Sequence, residues 1–397
     1  MNLLQKIAKQ ENLFSAWSRI NQNPRSHGID NETIQSFKDN LYPNIKSINK
    51  SLLANNYSFS LYKGQKLEKR GKTRTLKIPI VKDRIVQRAI RNVIEKRFTK
   101  DFLGCSFGYV EHLGIKNAVE KILKYKGEGN YIVLEADIEK FFDTVDKDKL
   151  INLILTKFKK DSSIEKLLRD SLNTKVGNTE IFSCKEIECL NNEEIGIPQG
   201  GILSPLYANV YLTSFDKIML AAGFNLIRYA DDFIVLCKNK KEAEDAHVLC
   251  KEVLENKLNL KLHPLGDLDS SKTRISDFKQ GFKYLGIQFG YNYICPSELS
   301  RDNFKNKVDS LTNYKNIVSL VDNLKNLSLV INGWGNVYRY CQNLKTEEIF
   351  KALDCYIFRR MNSMLKGLNF LSKTNNLSNN QMYLLKIPKL MDILIRF

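Results

Sequence analysis

The stretch NLIRYADDFIVLC, residues 225–237, decides how the rest of this chain is read. Two short apolar runs flank a tight acidic turn, the pattern of a β-hairpin whose tip carries Asp231 and Asp232. Upstream, YIVLEADIEKFF (131–142) begins as a strand and ends in a turn, so Asp137 projects from a strand end. Phosphoryl transfer needs charge neutralisation and in-line positioning more than covalent help, and two Mg²⁺ ions about 3.5–4 Å apart provide both. Mg²⁺ is a hard ion that takes carboxylate oxygens, water and substrate phosphate. Two strands that each deliver an Asp to one point meet that need. Adjacent Asp residues between strands are more often a solvated turn. On these residues alone, that reading stands beside the metal site.

Working outward, residues 1–60 read as helical, with Leu13, Trp17 and Ile20 at helical spacing. Residues 61–80 alternate as strands around the basic turn of KLEKRGKTRTLKIPI (66–80). A long helix runs from near Lys82 to about Phe98, with Ile85, Val86, Ala89, Ile90 and Val93 on one face. Residues 163–174 read as helix and 178–190 as a short hairpin. After GIPQGGILSP (196–205), LYANVYLTSFDKIMLAAG reads as a second long helix. A helix over 240–257 and a strand-rich segment to Gly290 follow. From Arg301 onward the chain reads as helical and basic, with 15 Lys/Arg against 7 Asp/Glu. The strand–helix middle and the helical tail predict an α+β catalytic body with a separate helical arm.

The 397 residues allow two or three domains, and 43% hydrophobic residues suffice for ordinary cores. With 62 Lys+Arg against 44 Asp+Glu the net charge is +18, which fits a polyanionic partner. A chain rich in Lys, Asn and Ile can also be basic without binding anything. The eight cysteines are scattered, and only Cys184 and Cys189 are close, with no second pair at zinc spacing. They read as reduced thiols, several of them core residues, in a cytoplasmic protein. The N-terminal MNLLQKIAKQENLFSAW is polar and amphipathic, so neither secretion nor a membrane partner is expected.

Taken together, the motifs resemble those of the reverse transcriptases, particularly the group II intron-like branch of bacteria. YADD (229–232) resembles that family's catalytic box, and EADIEKFFDTVD (135–146) the motif carrying its first metal-binding Asp. IGIPQGGILSPLYANVYL (195–212) closely resembles the segment that supports incoming nucleotide and template. IPIVKDRIVQRAI (78–90) resembles the fingers motif, and SFGYVEHLGIKNAV (106–119) a degraded form of the SYGFRPGRSAHQAI-type segment. SSKTRI (270–275) and FKYLGIQFG (282–290) resemble the last palm motifs, and INGWGNVYRY (331–340) the thumb. The matches keep family order from about residue 12 to 365.

The resemblance implies a right-hand polymerase: an N-terminal helical extension (1–60), fingers and palm (61–298) and a helical thumb (299–397). It implies an RNA-directed DNA polymerase with two Mg²⁺ ions held by Asp137, Asp231 and Asp232, and Lys272 as the acid for departing pyrophosphate. Arg74 and Lys72, helped by Lys69 or Arg70, would clamp the triphosphate. Phe142 would stand as the gate against a ribose 2′-OH, with either Phe141 or Phe142 plain core. Gln199 and Gly200 would lie against the nucleotide, and Tyr284, Leu285 and Gly286 would form the primer grip beside Phe282. Trp334, Tyr338 and Arg339 would serve the thumb, Trp334 mainly by packing. Implied partners are an RNA template, the DNA product and dNTPs, and an oligomer is compatible with the sequence.

The sequence carries no Cys/His-rich nuclease pattern after the thumb motif and no retron-type VTG segment, while QGGILSP is intact. The expectation is a stand-alone enzyme in anti-phage defence that copies a non-coding RNA. The alternatives are a group II intron maturase, an RNA-gripping protein that uses the fold without its chemistry, and a template-independent polymerase.

Overall fold

The structure is a computed structural model. It describes every residue except 21–25, 70–71, 103, 160, 174, 191–193, 267–270, 315–318, 368–387 and 394–397, and the backbone alone of 68–69, 72–74 and 189. The chain divides into two compact units: Met1–Asn130 with Leu134–Ile275, and Tyr131–Val133 with Ser276–Phe397.

The first unit opens with helices α1 (Leu3–Ala8), α2 (Gln10–Ile20), α3 (Ile34–Asp39) and α4 (Leu41–Leu53). Apolar residues recur every three or four positions, so α2 buries Leu13, Ala16 and Trp17, and α4 buries Ile45, Ile48 and Leu52. Trp17 stacks on Phe37 with ring centroids 5.3 Å apart. Strands β1 (Lys63–Lys69) and β2 (Lys72–Ile78) then form an antiparallel ladder with Lys63 opposite Ile78. The long helix α5 (Val81–Phe98) packs against α1, α2 and α4. The N-terminal helices therefore share a core with α5.

The body continues through α6 (Ile115–Gly127), β3 (Ile132–Asp137), α7 (Phe141–Thr144), α8 (Lys147–Lys157), α9 (Glu165–Ser171), α10 (Cys184–Leu190) and α11 (Ser204–Ala221). Strands β4 (Asn225–Tyr229) and β5 (Asp232–Cys237), helix α12 (Lys240–Lys251), a π-helical turn Glu252–Lys257 and β6 (Arg274–Asp277) follow. A four-stranded sheet runs β4-β5-β3-β6, and α6 and α11 pack on β4 while α12 packs on β5. Burial on both faces explains why β4 and β5 read as continuous apolar runs rather than alternating ones.

Residues 178–190, expected as a hairpin, instead form a 3-10 turn Thr179–Ile181 and helix α10. Phe182 packs with Tyr62 and Val176, and Ile187 and Leu190, three residues apart on one helix face, close over that cluster. The apolar residues of this segment thus follow helical rather than strand spacing.

The second unit holds a three-stranded sheet, β7 (Phe282–Tyr284), β8 (Ile287–Phe289) and β9 (Ile294–Pro296), and helices α13 (Glu298–Leu311), α14 (Leu320–Tyr338) and α15 (Leu344–Gly367). The main segment of this unit begins at Ser276, inside the stretch expected as palm (61–298). The reason is packing: Phe282 stacks on Phe289 at 4.8 Å, Phe278 meets Phe282 edge-on at 5.1 Å, and Trp334 packs on Phe304, Tyr338 and Phe350. Tyr338 also donates to the Gly286 carbonyl, tying the small sheet to the helices. Among the described residues no helix is long and apolar enough to cross a membrane.

Asp83, in the first turn of α5, is 2% exposed and accepts bonds from the Tyr57 hydroxyl (2.6 Å) and the Ser60 N–H (2.9 Å). Burial pushes its pKa up to about 6, although both hydrogen bonds and Lys82 oppose the shift. The folded state therefore keeps a proton that the unfolded chain, with a pKa near 4, has already lost. The sign is fixed: the contribution is full below pH ~4 and is lost as pH rises through the folded value. Urea denaturation between pH 4 and 7 should show a shallower fall of stability with pH in Asp83→Asn than in wild type. Equal slopes would show that Asp83 does not titrate in this way.

Candidate active site

The acidic hairpin is closed by two residues, with Tyr229 opposite Asp232 and Ala230 at φ 62°. A positive φ is what tight hairpin loops ask for, but it is costly for a residue with a Cβ. Support comes from the segment Cys105–Tyr109, which runs alongside β4. The Arg228 N–H donates to the Cys105 carbonyl (2.7 Å), and the Phe107 N–H donates to the Arg228 carbonyl (2.9 Å). Gly108 lies so close that a Cβ there would sit 2.5 Å from the Ala230 nitrogen. Beneath the turn the Arg228 guanidinium is fully buried. It donates to both Asp216 oxygens (2.7 and 2.5 Å), to Asn209 Oδ1 (3.0 Å) and to the Ala230 carbonyl (2.8 Å). Asn209 and Asp216 are two turns apart on α11 and so share a face.

Asp137 ends β3, the strand next to β5, so the sheet order brings it towards the hairpin tip. Asp232 is pushed up to about 8 by burial and by the negative charges of Asp137, Asp231 and Glu135, with Lys272 opposing. Asp232 keeps an exposed side, and three like charges face it. The carboxylates are thus electrostatically coupled. Among the described residues, however, no three His, Cys, Asp or Glu side chains are gathered closely enough to hold a metal ion. The Lys272 ammonium instead pairs directly with Asp137 and lies 2.9 Å from His263 Nε2. His263 is held because its N–H donates to the Asp137 carbonyl (3.1 Å), and its ring lies 3.6 Å from Glu139. Glu135 is bound by Arg274 across β3 and β6 at 2.9 and 3.3 Å. The donor set is hard oxygen under mutual repulsion, which suits a divalent cation.

Phe141 is 2% exposed and Phe142 half-buried, so Phe141 is the core residue of the pair. The Phe142 carbonyl accepts from the Ile197 N–H (2.7 Å), docking the GIPQGG loop on the turn after β3. Gln199 is half-buried, and its carbonyl accepts from the Lys77 N–H at 2.8 Å. Gly200 has φ 111°, and a Cβ there would meet the Lys77 carbonyl at 2.9 Å, so only glycine lets the loop approach β2. Lys72 and Arg74 belong to β2 by backbone; their side chains, like that of Lys69, lie outside the described residues, as does Arg70 entirely. Within the second unit, Leu285 (φ 52°) and Gly286 (φ 79°) form the two-residue turn between β7 and β8. Tyr284 is buried, so the turn offers Leu285 and Gly286 outward. Trp334 packs internally and donates to Ser300 (3.2 Å).

The sequence reading missed Arg228, Asp216, Asn209, Gly108, His263 and the Glu135–Arg274 pair. One signal was present: a charged Arg228 inside the apolar run NLIRY calls for a buried partner.

Sheet, acidic tip and helical arm together define a polymerase fold of the right-hand type. The family described as reverse transcriptase (RNA-dependent DNA polymerase) matches residues 63–289, and the group II intron maturase-specific domain matches 301–367. The chain belongs to the reverse transcriptase family. Protein YkfC of Escherichia coli is 28% identical over 255 residues, covering 54% of this chain and 63% of that protein. The group II intron-encoded protein LtrA of Lactococcus lactis is 30% identical over 243 residues, covering 55% of this chain and 38% of that one. This chain therefore spans less than two thirds of these relatives. A solved apo telomerase from Candida tropicalis is similar at a TM-score of 0.48 and 13% identity, over 85% of this chain and 64% of that one.

Gly108→Ala should destabilise the protein by about 1–3 kcal/mol, the usual cost of overpacking. Chemical denaturation measures it, and a change within experimental scatter would mean that the hairpin tip yields freely.

Proposed function

We propose that this protein is an RNA-directed DNA polymerase that extends a primer with dNTPs at the acidic hairpin. The observation that carries the reading is the coupling of Asp137 with Asp231 and Asp232 at adjacent strand ends within a reverse transcriptase frame. Asp137 and Asp231, with Asp232 beside them, would hold two Mg²⁺ ions. When bound, these supply the charge neutralisation that phosphoryl transfer requires.

The chain's own residues do the rest. Gln199 and the Gly200 backbone support the incoming nucleotide against β2, and Phe142 stands against a 2′-OH. Lys72 and Arg74 take the triphosphate, and Leu285–Gly286 hold the primer. Lys272, paired with Asp137 in this structure, would be released by a cation held there and would then protonate departing pyrophosphate. RNA template, DNA product and dNTPs are the partners in this reading.

The biological setting has two candidates, defence with a non-coding RNA template and intron splicing or mobility. The match to the maturase-specific domain is the observation that favours the second. The presence of a self-splicing intron around the gene, with its splicing promoted by the purified protein, distinguishes them.

The test is primer extension with Mg²⁺ on an RNA template with a DNA primer. Wild type should make template-length DNA with dNTPs and not with NTPs, and Asp231→Ala should make none. Untemplated product from wild type would move the function to terminal addition, and a folded, RNA-binding but silent wild type would favour an RNA-gripping role. Lys272→Ala should slow turnover by about 10²–10⁴-fold, the usual worth of general-acid help, with primer affinity unchanged. A smaller loss would assign the proton to water.

A further inference from the structure

We infer that Arg228 is a positioning residue for the acidic turn. With Asp216 and Asn209 it fixes the Ala230 carbonyl, and thereby the direction in which Asp231 and Asp232 leave the hairpin. The inference rests on the metal-dependent polymerisation proposed at that turn.

Arg228 and Asn209 are 0% exposed and Asp216 1%. A buried ion pair of this kind is a weak source of stability, since well-packed apolar residues of similar volume often do as well or better. Apolar residues could not supply a hydrogen-bond donor aimed at the Ala230 carbonyl, 2.8 Å from Arg228 Nη1. Asp216 occupies Nε and Nη2 of the fork, which leaves Nη1 pointing at the turn and at Asn209. Asn209 in turn donates to the Gly108 carbonyl at 2.9 Å, and Gly108 is the residue whose backbone presses on the Ala230 nitrogen.

Helix α11 therefore grips the turn from two sides, through Arg228 at its carbonyl and through Gly108 at its amide. The turn needs this grip because Ala230 sits at φ 62° with no glycine to relax it. Functional groups must be held within about 0.5 Å of productive geometry by locked neighbours. A turn released from Arg228 would keep its carboxylates and lose their aim.

The decisive variant replaces the whole pair, Arg228→Met with Asp216→Leu, so that no charge is left unpaired in the core. Steady-state primer extension is followed against Mg²⁺ concentration beside wild type and Asp231→Ala, and Mn²⁺ binding to the protein without primer or dNTP is measured by calorimetry and should weaken several-fold in the double variant. The double variant should fold, show an unchanged KM for primer–template, lose about 10²-fold in kcat as misplaced groups do, and need several-fold more Mg²⁺ for half-maximal rate. A purely structural pair would not move the Mg²⁺ requirement. Arg228→Lys keeps the charge opposite Asp216 but loses the fork, and should shift kcat and Mg²⁺ requirement in the same direction by less. If the double variant does not fold, the lysine variant carries the test. A folded variant with wild-type kcat and Mg²⁺ requirement overturns the inference and leaves the proposed function intact. A wild type that extends no primer overturns the function, and this inference with it.

Discussion

Mutual repulsion among carboxylates is the constraint around which the first unit is organised. Asp137, Asp231 and Glu135 all raise the pKa of Asp232, which means that the fold holds like charges where each disfavours the others. Free energy for that arrangement has to come from elsewhere, and the sheet supplies it: β4 and β5 are buried along nearly their whole length. The cations are placed with the same economy. Arg274 binds Glu135 in a fork, and Lys272 pairs with Asp137. The two differ in kind. Arg274 and Glu135 are largely buried and fixed, whereas Lys272 is exposed on a flexible stem. The first pair belongs to the scaffold, and the second is a solvent-exposed contact.

Part of the backbone strain lies near the same place. Several of the described residues with positive φ are asparagines in turns, where that conformation costs little. Tyr109, Lys140 and Ala230 are different, because each is an unsuitable residue for it and each lies next to the acidic tip or to the turn after β3. His112, Lys159 and Leu285, the last in the turn between β7 and β8, share the conformation elsewhere in the chain. Such conformations persist only where surrounding contacts over-determine them, and they gather at sites where geometry has been selected over stability. Gly108 and Gly200 complete the pattern from the other direction. Each is a glycine because a neighbouring backbone atom, the Ala230 nitrogen or the Lys77 carbonyl, stands where a Cβ would go.

The two units show that motif order and side-chain packing need not divide a chain at the same residue. FKYLGIQFG reads as the last motif of the palm, yet Phe282 and Phe289 stack within the second unit and Tyr338 of α14 reaches the Gly286 carbonyl. Motif order follows chemistry along the chain, while compactness follows where aromatic side chains find partners. Gly286 illustrates the point. The primer-grip role proposed for it and its inward bond to Tyr338 fall on one residue, and only the bond fixes which unit it joins.

How much was legible in the sequence depended on whether the signal was local. The strands around Asp231, the helices α5 and α11 and the β1–β2 ladder were readable because each period shows within a dozen residues. Residues 178–190 were misread because the partners of Phe182, Tyr62 far upstream and Val176, and the closure of Ile187 and Leu190 over them, do not show in the segment itself. The support of the acidic turn was half-legible. Arg228 stands out as a charge in an apolar strand. Its partner Asp216 does not, because α11 is buried nearly all round and has no polar face against which an inward Asp would look misplaced. A helix of that kind gives no sequence sign of which polar residue points at which neighbour. Only the sheet packed against it decides that Asn209 and Asp216, seven residues apart, converge on one guanidinium.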